Sequence, residues 1–160
     1  MAPSAGLWVL AGAVVLGGVL AGVYVGFAVG VMPGLARASD GTLVETMQRI
    51  NQAIVNPGFM LVFFGAPLLA VVAAVLRTST FTVVGAVLAV ATLVVTVAIN
   101  VPLNNALDAA PTDTLAQLAN ARAAFEGAWT RGNLVRSLTG LLAVLAPTAE
   151  LVRSAIAGSA

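Results

Sequence analysis

Three groups of polar side chains interrupt a chain that is otherwise apolar. Gln48, Asn51, Gln52 and Asn56 form the first, Asn100, Asn104 and Asn105 the second, and Trp129, Asn133 and Arg136 the third. Together these residue types can handle a carbonyl compound. An arginine stabilises a developing oxyanion by charge-assisted hydrogen bonds, amides orient the carbonyl, and an indole stacks on aromatic rings. Trp129, Asn133 and Arg136 stand at i, i+4 and i+7, on one side of a helix. The set lacks an obvious base, because arginine does not give up its proton. Glu126 is the nearby carboxylate, while Asp108, Asp113 and Glu126 read as a solvated loop surface.

Each residue also has a plainer reading. Asn56 and Asn133 suit helix N-caps, Asn104 suits the end of a helix, Trp129 an interfacial anchor and Arg136 a snorkelling cation. As a set they point further. Helix ends need one cap each, and an ionisable residue inside an apolar boundary reads as a functional site.

Composition narrows the chemistry further. Cysteine and histidine are both absent, which removes disulfides, thiolate nucleophiles, Cys/His metal sites and the usual base near neutral pH. No metal or cofactor is expected. Charged residues are 8 % of the chain and the net charge is +1 without a lysine, so nucleic acid is not an expected partner. Hydrophobic residues make up 60 % and mean hydropathy is +1.04. A soluble domain carries about 25 % charged residues, so lipid must cover most of this surface.

The elements that hold the polar groups follow from four apolar blocks, and the fold expected is an all-α integral membrane four-helix bundle in one domain over 1–160. The helices are placed at about 7–32, 57–76, 80–101 and 133–156. Asn56-Pro57 is an N-cap followed by proline at the first helical position, and Arg77-Thr78-Ser79-Thr80 is a tight hairpin. The third helix stops near Pro102. The fourth block, Leu134–Ala146, gives only roughly 20 Å of helix, so the helix either starts near Phe125 or runs past Pro147 with a kink. Continuation is favoured, with Glu150 and Arg153 paired at i,i+3. The two long connections lie on the same side of the membrane and carry short amphipathic helices. The first opens on a capping-box pattern, Thr42 to Glu45, and the second follows Pro111 and reaches towards Trp129. Orientation stays open, since few charges bear on it. Gly18, Gly22, Gly26 and Gly30 line one face of the first helix, for tight packing within the bundle or a homo-oligomer seam.

Four segments carry a family resemblance. They are Met47-Gln48-Arg49-Ile50-Asn51, Asn56-Pro57-Gly58-Phe59, Asn100-Val101-Pro102-Leu103-Asn104 and Trp129-Thr130-Arg131-Gly132-Asn133-Leu134-Val135-Arg136. In order and spacing the chain resembles the anthrone oxygenase-like membrane proteins. The resemblance implies a small four-helix protein, with some members tied to oxidation of polyketide anthrones to anthraquinones. It implicates Gln48, Asn51, Asn56, Asn100, Pro102, Asn104, Trp129, Asn133 and Arg136, and for an anthrone-like substrate it implies Arg136, Asn133 and Asn104 at the reacting group with Trp129, Asn100, Gln48, Asn51 and Asn56 around the substrate. The expected activity is a cofactor-independent oxygenase acting on a lipophilic aromatic or ketone, with the lipid bilayer and a lipophilic small molecule as partners. The expected location is a bacterial cytoplasmic membrane. The alternatives are a non-catalytic protein that binds a lipid or hydrophobic small molecule, or an accessory subunit of a membrane complex. A transporter ranks behind both, because no inverted repeat is visible.

Overall fold

Two side-chain caps start the central helices. Asn56 accepts from the Phe59 N–H at 3.0 Å and opens α4 (Pro57–Leu76). Ser79 opens α5 (Thr80–Val95) with a reciprocal box: its Oγ accepts from Thr82 N at 3.2 Å, and Thr82 Oγ1 accepts from Ser79 N at 3.1 Å. Only residues 77–79 separate the two helices, which therefore run antiparallel. A computed structural model describes residues 5–159; the expected domain of 1–160 begins and ends outside them. The remaining elements are α1 (Ala5–Gly26), α2 (Met32–Leu35), α3 (Asp40–Ile54), α6 (Val101–Asp108) and α7 (Leu115–Ser159). Helix α1 packs on α4 and α7, and α5 packs on α4 and α7, which closes a ring of four.

Four helical stretches are long and apolar enough to cross a membrane: Ala5–Leu35, Pro57–Leu76, Thr80–Asp108 and Leu115–Ala157. Their outward faces show why. Leu61, Leu68 and Val75 on α4, Val87 and Val94 on α5, and Leu138 and Leu145 on α7 are all exposed and recur every seven residues. In water such stripes would aggregate; in a bilayer they face acyl chains. The chain is an all-α integral membrane bundle. At 1.5 Å per residue the 45-residue α7 is roughly 68 Å long, more than twice the hydrocarbon core of about 30 Å. Its first half therefore extends beyond the span and joins α2, α3 and α6 in a cap. That cap has its own core of Met32, Leu43, Val44, Met47, Leu107, Ala121, Phe125 and Trp129.

Several expected boundaries move. The first helix does not end at 32, nor the third at 101, because each passes its proline through a π turn. Phe27–Val31 precedes Met32-Pro33, and Thr96–Asn100 precedes Val101-Pro102. Proline lacks an N–H, and its ring collides with the carbonyl four residues back. Those carbonyls, of Val29 and Ala98, lie inside the π turns, where the wider coil shifts them out of α-helical register. The fourth helix starts at Leu115 rather than 133 and absorbs the separate helix expected before Trp129. Gly132 is no break there. A Cβ on it would stand 2.8 Å from Asn100 Oδ1 and 3.1 Å from Ile99 Cγ2, so its bare backbone is what lets α7 approach the second π turn.

Smaller corrections follow from side-chain partners. The amphipathic α3 is capped by Ser39, whose Oγ accepts from Thr42 N at 3.2 Å. Thr42 and Glu45 thus do not form the cap, and Glu45 pairs with Arg49 at 2.9 Å. Glu150 pairs with Arg77 at 3.8 Å rather than with Arg153, whose guanidinium lies 5.4 Å from the Phe81 ring centre. The face of Gly18, Gly22, Gly26 and Gly30 does not pack inside the bundle, since a Cβ at any of the four meets nothing within 4 Å.

Candidate functional site: a cavity ending on a buried arginine

Where the four-helix ring meets its cap, a cavity of about 340 Å³ opens between α1, the end of α3, the start of α4, the second π turn, α6 and α7. Its walls are mainly Tyr24, Phe27, Met47, Phe59, Phe63 and Trp129. Four exposed residues of its lining, Gln52, Val55, Asn105 and Asp108, form the mouth, while Tyr24, Thr96, Trp129 and Arg136 are buried. Helix periodicity sets the inner end. Trp129, Asn133 and Arg136 share one face of α7, and each is under a tenth exposed, at 3 %, 0 % and 7 %.

Arg136 is held on three sides. The Tyr24 ring centre lies 4.6 Å from its guanidinium carbon and the Trp129 ring centre 4.9 Å, within cation–π range. Its Nε donates to Asn133 Oδ1 at 3.0 Å, and Asn133 Nδ2 donates in turn to the Tyr24 carbonyl at 3.0 Å. One amide thereby aims the arginine and ties α7 to α1. No ion pair involves Arg136 among the described residues. Its terminal nitrogens carry no hydrogen bond to a described residue, and the side chain lines the cavity. The Tyr24 hydroxyl is also buried without a hydrogen bond, beside Thr96 but outside bonding geometry with it. Burying a cation without a counter-charge is costly, and here the open donors point into space that fits an organic molecule.

The other expected residues sort into lining and support. Asn104 lines the cavity and accepts from Trp129 Nε1 at 2.7 Å, which fixes the indole plane. Asn51 lines it and donates to Asp108 Oδ1 at 3.3 Å. Asn100 and Asn133 are wholly buried behind the wall, Asn100 donating to the Trp129 carbonyl at 3.1 Å. Gln48 donates to the Leu107 carbonyl at 2.9 Å and fastens α3 to α6. Asn56 caps α4 and donates to the Ala53 carbonyl at 3.0 Å. Neither Gln48 nor Asn56 lines the cavity. Arg136 does not snorkel, Trp129 is no interfacial anchor, and Asn133 and Asn104 cap no helix end.

The residues expected at the site leave out polar groups of the wall, among them Tyr24, Thr96 and Asp108. Tyr24, the single tyrosine of the chain, stands in a block otherwise read as plain membrane helix. Asp108, expected on a solvated loop, is exposed but ends α6, one turn after Asn104. Had Pro102 been read as passable, the i,i+4 relation would have shown the pair. Glu126, the carboxylate expected near the site, instead holds Arg122 at 2.7 Å and does not line the cavity. No cluster of three or more His, Cys, Asp or Glu side chains suited to a metal ion occurs among the described residues.

The fold and the cavity define a class: a small helical membrane protein whose aromatic-walled chamber ends on an unpaired arginine. The family model described as anthrone oxygenase matches residues 48–146, more than half of the chain. The chain belongs to the anthrone oxygenase family. The matched span contains every expected site residue and Asp108, while Tyr24 and Phe27 lie ahead of it. No curated protein and no solved structure matches the chain.

Proposed function

We propose that the chain is a membrane-embedded, cofactor-independent oxygenase that oxidises a lipophilic, enolisable aromatic ketone of the anthrone type. The observation that carries this reading is Arg136, a buried guanidinium with open donors at the inner end of an aromatic cavity.

The chemistry follows from where charge develops. With the ketone oxygen on the terminal nitrogens of Arg136, negative charge that builds on it as the ring system enolises meets a fixed cation in a poorly solvated site. The flat rings stack among Trp129, Phe27 and Tyr24. Asp108 is the only carboxylate on the cavity wall among the described residues, and it takes the methylene proton. The electron-rich enolate gives one electron to dioxygen, and the resulting radical pair closes a carbon–oxygen bond. Protonation by Asp108 leaves a hydroperoxide on the former methylene carbon. Loss of the remaining C–H proton, with cleavage of the O–O bond, releases water and leaves a second carbonyl. One ketone and one dioxygen become one quinone and one water, and nothing else is consumed.

The test is oxygen uptake and quinone absorbance with protein in lipid nanodiscs and an anthrone as substrate. Arg136→Ala is expected to lower turnover by about a hundredfold, the usual loss for one oxyanion-stabilising group. Asp108→Asn should lower kcat by a similar factor while KM changes little. Oxidation by Arg136→Ala at the wild-type rate sinks the reading. Tight anthrone binding that Arg136→Ala abolishes, with no oxygen uptake in any variant, would leave a non-catalytic binder.

A further inference from the structure

The membrane half of the bundle contains a second space. A half-open void of about 20 Å³ lies between α1, α4, α5 and α7. Six of its ten lining residues are small: Gly17, Ala21, Ala66, Ala89, Gly140 and Ala143. Tyr24 lines both this void and the main cavity. The volume is that of a single small molecule, for which roughly 10–15 Å³ is the lower bound.

Polarity decides what such a molecule is. The Thr92 hydroxyl on the wall donates to the Leu88 carbonyl at 2.8 Å and pairs with Thr139 Oγ1 at 2.7 Å. The Tyr24 hydroxyl sits beside Thr96, which lines the main cavity and not the void. A buried water needs two to four polar partners, and of the two hydroxyl residues on these walls Thr92 is already bonded while Tyr24 alone has an open hydroxyl, fewer than a water requires. Dioxygen needs none, is two atoms long, and partitions from water into apolar media.

The space is also not forced by crowding. A Cβ built on Gly140 stands 3.7 Å from Ala21 Cβ and from Tyr24 Cδ2, and 3.8 Å from Ala21 Cα, all ordinary contacts. An alanine there would fit and fill the gap, whereas interiors are otherwise close-packed. We infer that the void is a dioxygen site, reached through the membrane and sharing the Tyr24 wall with the ketone cavity. The inference rests on the proposed oxygenase reading for its purpose, but not for its test.

Relaxation of alanine methyls, compared under oxygen and under nitrogen in nanodiscs, measures the site without turnover. Ala73 is as buried as Ala21 and Ala66 but lies off the void, so it serves as control. Oxygen should relax the Ala21 and Ala66 methyls several-fold faster than that of Ala73, and Gly140→Ala should remove the excess. Ala89→Val fills the same space from α5, so misfolding of the first variant does not end the test. Equal relaxation at all three methyls, an excess that survives both substitutions, or water cross-peaks to Ala21 would overturn the site. In turnover, Gly140→Ala should raise KM for oxygen and leave KM for the anthrone unchanged. Methyl relaxation without any oxidation would keep the site and remove the proposed reaction; oxidation without the relaxation would do the reverse.

Discussion

Asn133 uses both ends of its amide, one on the Arg136 guanidinium and one on the Tyr24 backbone. Removing it leaves a buried carbonyl without its donor and a buried cation without its only fixed acceptor. Asn133→Leu is therefore expected to lower unfolding stability by about 2 kcal/mol, read as an earlier transition in a detergent denaturation series. It should also release Arg136 from its place between the rings, so oxidation falls even where the folded protein survives. An unchanged transition would show that the amide network stabilises nothing. At this scale the sequence was informative about residue type but not about partners. Asn133 passed equally for an N-cap, because the choice depends on whether Gly132 breaks the helix. The unpaired state of Arg136 was beyond reach, since it depends on Asp108 standing at the mouth and Glu126 turning to Arg122.

The elements were legible where a local signal sets them. Asn56-Pro57 and Ser79 start helices by hydrogen bonds to the next turn, and no distant contact is needed. The misplaced ends fall at Pro33, Pro102 and Gly132, where the outcome rests on what packs alongside. Gly132 gives the sharpest test. Gly132→Ala pushes a methyl to 2.8 Å from Asn100 Oδ1, whose side chain is wholly buried and held by the Trp129 carbonyl. Thermal unfolding is expected to report a loss of about 1–3 kcal/mol. Gly22→Ala in the same assay should be neutral or slightly stabilising, because its Cβ meets nothing and alanine favours the helix. Equal effects of the two substitutions would mean that α7 does not approach the π turn as closely as the structure has it.

For the whole molecule, the apolar periodicity of four blocks fixed the bundle, while the depth of the cap was hidden in stretches that looked like loops. The cap places α3 and the α6–α7 connection on one side of the membrane and the α4–α5 hairpin on the other. The chain has no cysteine, so single cysteines report topology without background. Arg37→Cys and Thr112→Cys should react with a membrane-impermeant maleimide from the same side of sealed vesicles, and Thr78→Cys only after the vesicles are opened, or the reverse throughout. Thr78→Cys reacting together with Thr112→Cys would refute the arrangement. Which face is cytoplasmic then follows from the vesicle preparation rather than from charge counts.

The two π turns have a consequence for how this chain can vary in length. Each holds one residue more than an α-helix would need, and one residue turns a helix by about 100°. The wider coil absorbs that surplus locally, so α6, with Asn104 and Asp108, continues at nearly the angle an unbroken α-helix would give it. A one-residue deletion in Thr96–Asn100 would keep the hydropathy and every side chain named here as functional except the one removed. It would close the wide turn to an ordinary one and return the carbonyl four residues before Pro102 to the proline ring, while Asn104 and Asp108 keep nearly their present angles. In the first and third membrane helices a surplus residue is stored beside each proline rather than passed on as rotation, so a helix can gain or lose that residue there without turning the site.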